Sequence, residues 1–262
     1  MGRVTASAGR PRIGERRRPG ATTRDEILDA AAELFTVGGF TATSTRAVAD
    51  AVGVRQASLY NHFDSKDAIL AALLAGTVEP PLHFARTVCE RTADPVTRVH
   101  ALAWFDARHL SSGRWNLGAL YLLPELRADR FDTFRARRRE LRDLYVDLSA
   151  DAVRTIGRLP ADDVVAPTMP FRLVESVIAA RWDDEPAPSV DAAAGVDAAA
   201  GVDAAAAAVA DAAVRALGAS EFPAGLRRRS AALVGDLATD GVRIVPTDGT
   251  QGAQEHGQER AG

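Results

Sequence analysis

The sequence predicts an all-α protein, and three observations lead to that prediction. Hydrophobic residues make up 47% of the 262-residue chain, whereas aromatic residues make up only 6% and alanine is very frequent. Alanine is the strongest helix former, and β-branched residues other than valine, which favour strands, are few. Apolar residues also recur at helical spacing, with glycines and capping residues between the segments. We therefore expect a small N-terminal helical domain followed by a larger helical domain.

Bulk composition indicates the cellular location of the protein but says little about its function. The formal net charge of −3 gives no argument for nucleic acid or for a membrane surface. The single cysteine, Cys89, cannot form an internal disulfide, which fits a reducing compartment. No apolar run approaches the roughly 20 residues that a membrane span needs, and no apolar segment follows the N-terminal arginines. We expect a cytoplasmic protein without a membrane partner.

The N-terminal part shows two helix starts and two glycine stops. Thr23 is a plausible N-cap for a first helix, which Gly38-Gly39 ends. A second, short helix starts near Thr43 or Ser44 and meets Gly53.

A third short helix spans about residues 55–61, and Ser65 or Asp64 caps a fourth that runs to about Leu74. Two short helices joined by a glycine-containing turn and packed on a longer helix form a helix-turn-helix pattern. Any small helical bundle can show the same spacing, so the pattern alone leaves both interpretations open.

The rest of the chain is predicted to be helical. The candidate helices are 79–92, 95–112, 116–123, 128–157, 168–183, 203–218 and 223–239. Residues 190–207 repeat the motif VDAAAG, whose period of six places successive valines on different helix faces. Because glycine also weakens a helix, we expect a low-complexity insertion over 184–203 that acts as a linker.

Residues 22–74 carry a specific resemblance. The run contains AAELF–GGF, TSTRAVADAVGV, LYNHF and SKDAIL, in that order and without an insertion. It closely resembles the DNA-binding domain of the TetR family of transcriptional repressors. The resemblance implies four regions: a disordered basic arm (1–20), a helix-turn-helix DNA-binding domain (21–75), a helical ligand-binding and dimerisation domain (76–245) and a disordered tail (246–262).

The resemblance also implies roles for single residues. Positions matching Arg46 and Gln56 read base edges in this family, because arginine can grip guanine and glutamine can grip adenine. Arg55 departs from the usual residue type, so its contact with base or phosphate stays open; Ala57 is grouped with these base-reading residues. The expected phosphate contacts are Thr43, Thr45, Ser58, Tyr60, His62 and Lys66. Thr43 has a second interpretation as a helix cap.

Charge raises a difficulty for DNA binding. Residues 21–75 hold four basic and seven acidic residues, whereas residues 1–20 hold six arginines and one glutamate. We expect the arm to enter the minor groove, as basic N-terminal arms do in other proteins. The arm arginines expected to contact the groove are Arg10, Arg12, Arg16, Arg17 and Arg18. A solvated tail without a role is the alternative.

For the larger domain, the resemblance implies a homodimer and a small-molecule effector of unknown identity. Ligand-pocket candidates are Trp104, Phe105, His109, Trp115, Tyr121 and Phe134, although residues of these types are more often ordinary core than pocket lining. Dimer-interface candidates are Val174, Val177, Ile178, Trp182, Val209, Ala213 and Leu217. We expect release from a near-palindromic DNA operator when a moderately apolar molecule binds.

Two other classes of protein remain as alternatives. No P-loop, GxSxG, HExxH or glycine-rich dinucleotide loop occurs in the sequence, so we expect neither an enzyme nor a cofactor. His62 has no partner at metal-ligand spacing, so we expect no metal site. A helical interaction protein without DNA binding would fit the net negative charge of residues 21–75. Within the regulator class, activation and nonspecific DNA binding stay open.

Overall fold

The computed structural model describes residues 18–160, 164–184 and 196–239, which form helices joined by turns and short loops. In chain order the α-helices are α1 (Thr23–Val37), α2 (Thr45–Val52), α3 (Gln56–Tyr60), α4 (Lys66–Arg91), α5 (Pro95–Ser112), α6 (Asp132–Ile156), α7 (Met169–Asp184), α8 (Val196–Ala216) and α9 (Leu226–Thr239). Short 3-10 helices occupy Leu117–Leu122, Pro124–Arg127, Asp129–Phe131 and Ala166–Thr168. No strand occurs within these described ranges, and the prediction of an all-α fold is confirmed.

The chain divides into two compact units, Met1–Ile69 and Leu70–Gly262, here called the N-terminal unit and the C-terminal unit. This division lies six residues before the expected domain boundary at residue 75. Each unit has fully buried apolar side chains of its own. In the N-terminal unit these include Ile27, Phe35, Val48, Val52 and Leu59. In the C-terminal unit they include Leu74, Leu82, Phe84, Leu102 and Tyr145.

Helix α1 begins one residue earlier than its expected cap. Thr22, not Thr23, is the N-cap: its hydroxyl accepts from the Asp25 amide at 3.2 Å. The Asp25 carboxylate accepts in return from the Thr22 amide at 2.9 Å, which completes a capping box. Glu26 stands at the same spacing from Thr23, but it is buried. The two observed hydrogen bonds therefore assign the cap to Thr22.

Helices α2 and α3 form the expected helix-turn-helix. Ser44 caps α2 by accepting from the Ala47 amide at 3.1 Å. Gly53 ends α2 with a φ of 77°, in the left-handed region that glycine adopts without steric strain. The amides of Gly53 and Val54 both donate to the Ala49 carbonyl, so the chain turns sharply before α3.

Helix α4 is longer than predicted and joins two expected helices. Ser65 caps it by accepting from the Ala68 amide at 3.0 Å, and the helix continues through Pro80 and Pro81 to Arg91. The predicted break after Leu74 is wrong, because apolar positions before and after the prolines are buried and stabilise the helix. By length and composition α4 could cross a membrane, but core helices of soluble proteins pass the same test. Several of its apolar side chains, including those of Leu74 and Leu82, are fully buried.

Helix α5 is the centre of the C-terminal unit. It begins at the N-cap Asp94, whose carboxylate accepts from the Val96 amide at 3.1 Å, and it spans the predicted residues 95–112. It packs against α6, α7, α8 and α9. This position explains why most α5 side chains are buried, including the polar ones of Thr97, His100, Asp106 and His109.

Helix α8 extends into the repeat that the sequence predicts to be a linker. It begins at Val196, so the second and third copies of the motif are helical and the expected insertion over 184–203 is too long. The high helix propensity of alanine outweighs the cost of Gly201. The buried side of α8 includes Ala206, Ala210 and Ala213, so its packing does not depend on the valines of the repeat. Residues 185–195, the arm to residue 17 and the tail from residue 240 lie outside the described residues.

Candidate nucleic-acid interface and buried polar cluster

The outer side of α2 and α3 is a polar surface on an apolar base. Val48 and Leu59 are fully buried beneath it. The surface itself, called the reading face below, comprises Thr45, Arg46, Gln56, Ala57 and Tyr60. All of these except the half-buried Thr45 are exposed, and the Tyr60 side chain is 45% exposed. The apolar side of the two helices therefore determines which side chains face solvent.

Hydroxyl groups connect the two helices of the reading face. The Tyr60 hydroxyl and the Thr45 hydroxyl lie 3.2 Å apart, within hydrogen-bond distance. The Gln56 amide Nε2 donates to the same Thr45 oxygen at 3.1 Å. This network orients Gln56 with respect to α2. Ser58 is half-buried on α3, and His62 is exposed just beyond its end.

Two arginines extend from the reading face and its edge. Arg46 Nε lies 3.8 Å from Asp50 Oδ2, and these side chains are 81% and 72% exposed. An ion pair this exposed contributes little to stability, so the Arg46 guanidinium can leave Asp50 for another acceptor. Arg55 is exposed immediately before α3. Both cations can therefore reach an external partner.

The structure corrects the role expected for Thr43. Its side chain is only 8% exposed. Its hydroxyl lies 2.8 Å from the Gly39 carbonyl and 3.1 Å from the Leu34 carbonyl, near the end of α1. It does not cap α2, which Ser44 does. Thr43 is therefore a buried anchor of the turn before α2, and it offers no hydroxyl to an external phosphate.

Lys66 also differs from its expected role. Its ammonium group donates to the carbonyls of Phe40 and Thr43, each at 2.8 Å, and approaches the Thr41 carbonyl at 3.4 Å. The same nitrogen lies 4.3 Å from the centre of the Phe40 ring. The ammonium group is therefore hydrogen-bonded within the N-terminal unit and is not free at its surface.

Arg18 is the one arginine of the expected groove-entering arm that the described residues include. Its Nη1 lies 3.1 Å from Asp29 Oδ2 and also contacts the Glu33 carboxylate; its side chain is 15% exposed. These carboxylates hold the pKa of Arg18 above its usual value although burial opposes them. Arg18 is anchored on α1 and is not free to enter a groove. Arg10, Arg12, Arg16 and Arg17 lie outside the described residues.

Four of the six expected pocket residues form two neighbouring aromatic pairs. The Phe105 and His109 rings stack with centres 6.2 Å apart, and those of Tyr121 and Phe134 lie 5.5 Å apart. Both pairs reach the same turn of α4. His109 Nε2 donates to the Gly76 carbonyl at 2.8 Å, and the Tyr121 hydroxyl donates to the hydroxyl of the next residue, Thr77, at 2.7 Å.

The remaining two expected pocket residues lie elsewhere. Trp104 faces α8, where its indole N–H donates to Asp203 at 3.1 Å. Trp115 is half-buried, with the Arg114 guanidinium 4.7 Å from its ring centre. The structure thus separates both tryptophans from the aromatic pairs.

A buried polar cluster, which the sequence did not predict, lies beside these pairs. The Tyr145 hydroxyl lies 3.0 Å from Asp106 Oδ2, and the two side chains are 0% and 3% exposed. Arg138 pairs with Glu175 and lies over the rings of Tyr121 and Phe171. The signal available in the sequence was a polar residue at an otherwise apolar position of α5, namely Asp106.

Burial changes the acidity of this cluster. Removal from water raises the pKa of Asp106 to about 7, while the Tyr145 hydroxyl partly opposes the change. Burial likewise raises the pKa of Tyr121 and of Tyr145. For His109, burial lowers the pKa, so the neutral ring is favoured with its proton on Nε2. The other nitrogen of this ring, Nδ1, is buried without a hydrogen-bond partner.

Most of the expected dimer-interface residues pack against other parts of the same chain. Val174, Val177, Ala213 and Leu217 are buried, and the Ile178 side chain packs against Gly118 so closely that a Cβ there would come within 2.5 Å of it. These residues pack within the C-terminal unit itself, although Ile178 is only half-buried. Trp182 is 63% exposed and Val209 is partly exposed. Among the described residues, no cluster of three or more metal-ligating side chains occurs.

Comparison with known proteins identifies the family of the N-terminal unit. Residues 27–73 match the model of bacterial regulatory proteins of the tetR family. The HTH-type transcriptional repressor KstR2 of Mycobacterium tuberculosis is 32% identical over 166 residues, which are 61% of this chain and 80% of KstR2.

Solved structures extend the similarity to the whole fold. Mycobacterium smegmatis AmtR shares 49% sequence identity with a TM-score of 0.73, covering 84% of this chain and 98% of AmtR. Bacillus subtilis FadR, solved with stearoyl-CoA, is 18% identical with a TM-score of 0.52, covering 72% of this chain and 96% of FadR; it shows the fold alone. The reading face, the all-α fold and these similarities agree: the chain belongs to the TetR family of transcriptional regulators, which bind DNA and are not enzymes.

Proposed function

We propose that this protein is a repressor that binds a near-palindromic DNA operator as a homodimer and releases it when a small, moderately apolar molecule binds. The observation that carries the proposal is the reading face, where Arg46, Gln56 and Tyr60 are exposed above a fully buried apolar base. Such a regulator acts in the cytoplasm, where its operator is.

The reading face suits the major groove of DNA. A short second helix that projects polar side chains is the element that reads bases in helix-turn-helix proteins. Arg46 would grip guanine O6 and N7, and Gln56 would grip adenine N6 and N7. Ala57 offers a methyl group to a thymine methyl. Arg55, exposed before α3, would contact either a base or the neighbouring phosphate.

Phosphate contacts would come from the hydroxyls and the exposed imidazole. Thr45, Ser58, Tyr60 and His62 lie on or beside the two helices. The Thr45 and Tyr60 hydroxyls are already within hydrogen-bond distance of each other, so a phosphate oxygen could be contacted by both. These contacts position the protein without reading sequence.

The negative charge of the N-terminal unit is partly neutralised away from DNA. Asp29 and Glu33 both face Arg18 on α1. Asp25 is used in the capping box. Arg10, Arg12, Arg16 and Arg17 remain candidates for the minor groove, and Arg18 would fix the point from which that arm starts.

Dimerisation would use the outward sides of α7 and α8. Ala179, Ala180 and Trp182 are exposed on α7, and Ala204 and Ala208 are exposed on α8. Small residues permit close helix approach, and Trp182 supplies a large apolar anchor. A two-fold dimer presents two reading faces to two half-sites, which is the reason for proposing a near-palindromic operator.

The effector would bind at the aromatic pairs and the buried polar cluster. Phe105, Tyr121 and Phe134 supply apolar surface, and the unpartnered His109 Nδ1 supplies an acceptor. A ligand that prefers one conformer of the C-terminal unit lowers DNA affinity by shifting the population toward that conformer.

The test is selection of bound duplexes from a random DNA pool by the full-length protein. We expect a near-palindromic site, and we expect Arg46→Ala to lose binding to it. Arg139→Ala, which removes an exposed arginine of α6, is the matched control and should bind like the wild type. Failure to enrich any sequence at low salt would contradict the proposal and favour a helical interaction protein. Comparing the sedimentation coefficients of Trp182→Ala and wild type at the same concentration tests whether Trp182 stabilises the dimer.

A further inference from the structure

The ammonium group of Lys66 is surrounded by backbone carbonyls. Its Nζ donates to Phe40 O and Thr43 O at 2.8 Å each, with Thr41 O at 3.4 Å. An ammonium group has three N–H donors, and these carbonyls take up all three. The Phe40 ring covers the group on another side, with its centre 4.3 Å from the nitrogen. A phosphate could bind this cation only by displacing one of those acceptors.

These carbonyls belong to the turn of residues 38–44, called the α1–α2 turn below. Carbonyls outside regular helix need donors from elsewhere. Thr43 supplies hydrogen bonds from within the turn: its amide donates to the Phe40 carbonyl at 3.2 Å, and its hydroxyl contacts the carbonyls of Leu34 and Gly39. Lys66 adds donors from outside the turn. Lys66, which begins α4, thus connects the start of one helix to a turn 23 to 26 residues earlier in the chain.

The α1–α2 turn determines where α2 starts. Ser44, the N-cap of α2, directly follows Thr43, whose carbonyl accepts from Lys66. The first two residues of α2 are Thr45 and Arg46, both on the reading face. Any loosening of the turn therefore moves the base-reading arginine and the hydroxyl that orients Gln56.

The side-chain type fits this arrangement. Three carbonyls converge on one point, which a compact ammonium can occupy with three separately directed donors. A guanidinium spreads its donors along a planar fork and cannot converge in this way. Lys66 is the only lysine among the 32 basic residues of the chain, the others being arginine.

We propose that Lys66 is a positioning residue, which holds the α1–α2 turn so that α2 presents the reading face, and that it is not a phosphate-binding cation. The inference rests on the proposed function in so far as the reading face binds DNA. It differs from the role that the resemblance implied, and it makes the opposite prediction for salt dependence.

The experiment uses full-length Lys66→Met and Lys66→Arg, with Arg55→Met as a control that removes an exposed cation close to the reading face. Hydrogen exchange of the amides of residues 40–45 is measured without DNA. We expect both Lys66 variants to exchange at least about tenfold faster there, because the turn loses its donors. Arg55→Met should leave this exchange unchanged. Circular dichroism distinguishes local loosening from unfolding, and if Lys66→Met unfolds, Lys66→Arg carries the test.

The second measurement is the salt dependence of binding to the selected duplex. Loss of a phosphate contact lowers the slope of log K against log salt by about 0.9 per contact. We expect Lys66→Met to bind at least about tenfold more weakly with an unchanged slope. A reduced slope with unchanged exchange would overturn the proposal, and so would wild-type behaviour of Lys66→Arg in both measurements. A wild type that selects no duplex would contradict the proposed function, while hydrogen exchange still tests the role of Lys66.

Discussion

The N-terminal unit carries its distinctive polar side chains on the outside, whereas the C-terminal unit encloses several of its own. Arg46, Gln56 and Tyr60 are exposed. Asp106 and Tyr145 are 3% and 0% exposed. An exposed polar group has water as an alternative partner, but a buried one must find its partner within the fold. The first unit therefore leaves polar side chains available to an external partner, whereas the second pairs polar side chains within the fold.

The largest expected effect is on the stability of the N-terminal unit, whose small apolar core supports the reading face. Leu59 is fully buried under α3, and Leu59→Ala should lower the free energy of unfolding of the N-terminal unit by about 2 to 5 kcal/mol. Hydrogen exchange should show loss of protection in α1 to α3 and retention in α5. Leu122→Ala, at a side chain that is 89% exposed, is the control and should change neither. Equal loss in both units would show that they do not unfold separately.

The buried carboxyl group predicts a pH dependence that belongs to the C-terminal unit. Burial raises the pKa of Asp106 from 3.8 to about 7, so between these values the folded protein holds a proton that the unfolded chain has released. Stability from this group is therefore full below about pH 4 and is lost as pH rises through about 7, by roughly 4 kcal/mol at most.

Asp106→Asn should flatten that loss, as measured by urea unfolding at a series of pH values. Asp147→Asn, at an exposed position of α6, is the matched control and should leave the curve unchanged. Parallel curves for wild type and Asp106→Asn would mean that the carboxyl group is not protonated in the fold.

The reading face should separate base contacts from phosphate contacts. Gln56→Ala should lower affinity for the selected duplex by about 1 to 3 kcal/mol and relax the preference at one base pair. Tyr60→Phe, which keeps the ring but loses the hydroxyl near Thr45, should weaken all duplexes alike. The measurement is competition binding on single-base variants of the site. An unchanged preference in Gln56→Ala would assign base reading to other residues.

The smallest expected effect distinguishes two adjacent threonines. Thr22→Ala should destabilise the N-terminal unit by about 1 kcal/mol, because the hydroxyl accepts from the Asp25 amide at 3.2 Å. Thr23→Ala removes the threonine that the sequence favoured and should cost less. Thermal unfolding of both variants checks the order, and the reverse order would place the start of α1 one residue later.

Sequence patterns predicted the local structure well, but they predicted the contacts of individual side chains less well. The predicted helix over 95–112 and the predicted turn at Gly53 both match the structure. The extent of α4 was not predicted: one helix was expected to end near Leu74 and another to begin at 79, whereas packing joins them through Pro80 and Pro81. Similarly, Thr43 matched a motif position, yet its hydroxyl is used at the end of α1.

Most of the residues expected at the dimer interface are buried within the chain for a related reason. Val174 and Leu217 lie at helical spacing on apolar faces, but a helix in the interior of a unit can have more than one apolar side. Periodicity identifies a buried face without identifying what covers it. Here the chain covers both side chains itself, and only Trp182 among the expected residues is widely exposed.

By itself the sequence determined the helical class, the helix-turn-helix and the family, because helix propensity, capping and turn geometry act over a few residues. Only the tertiary structure decided which polar side chains are available and which are engaged. Lys66 is joined to a turn 23 to 26 residues away, Asp106 to Tyr145 across 39 residues, and His100 to Asp211 across 111. Such pairs form only when packing brings distant helices together, since removal from water makes each partner necessary to the other.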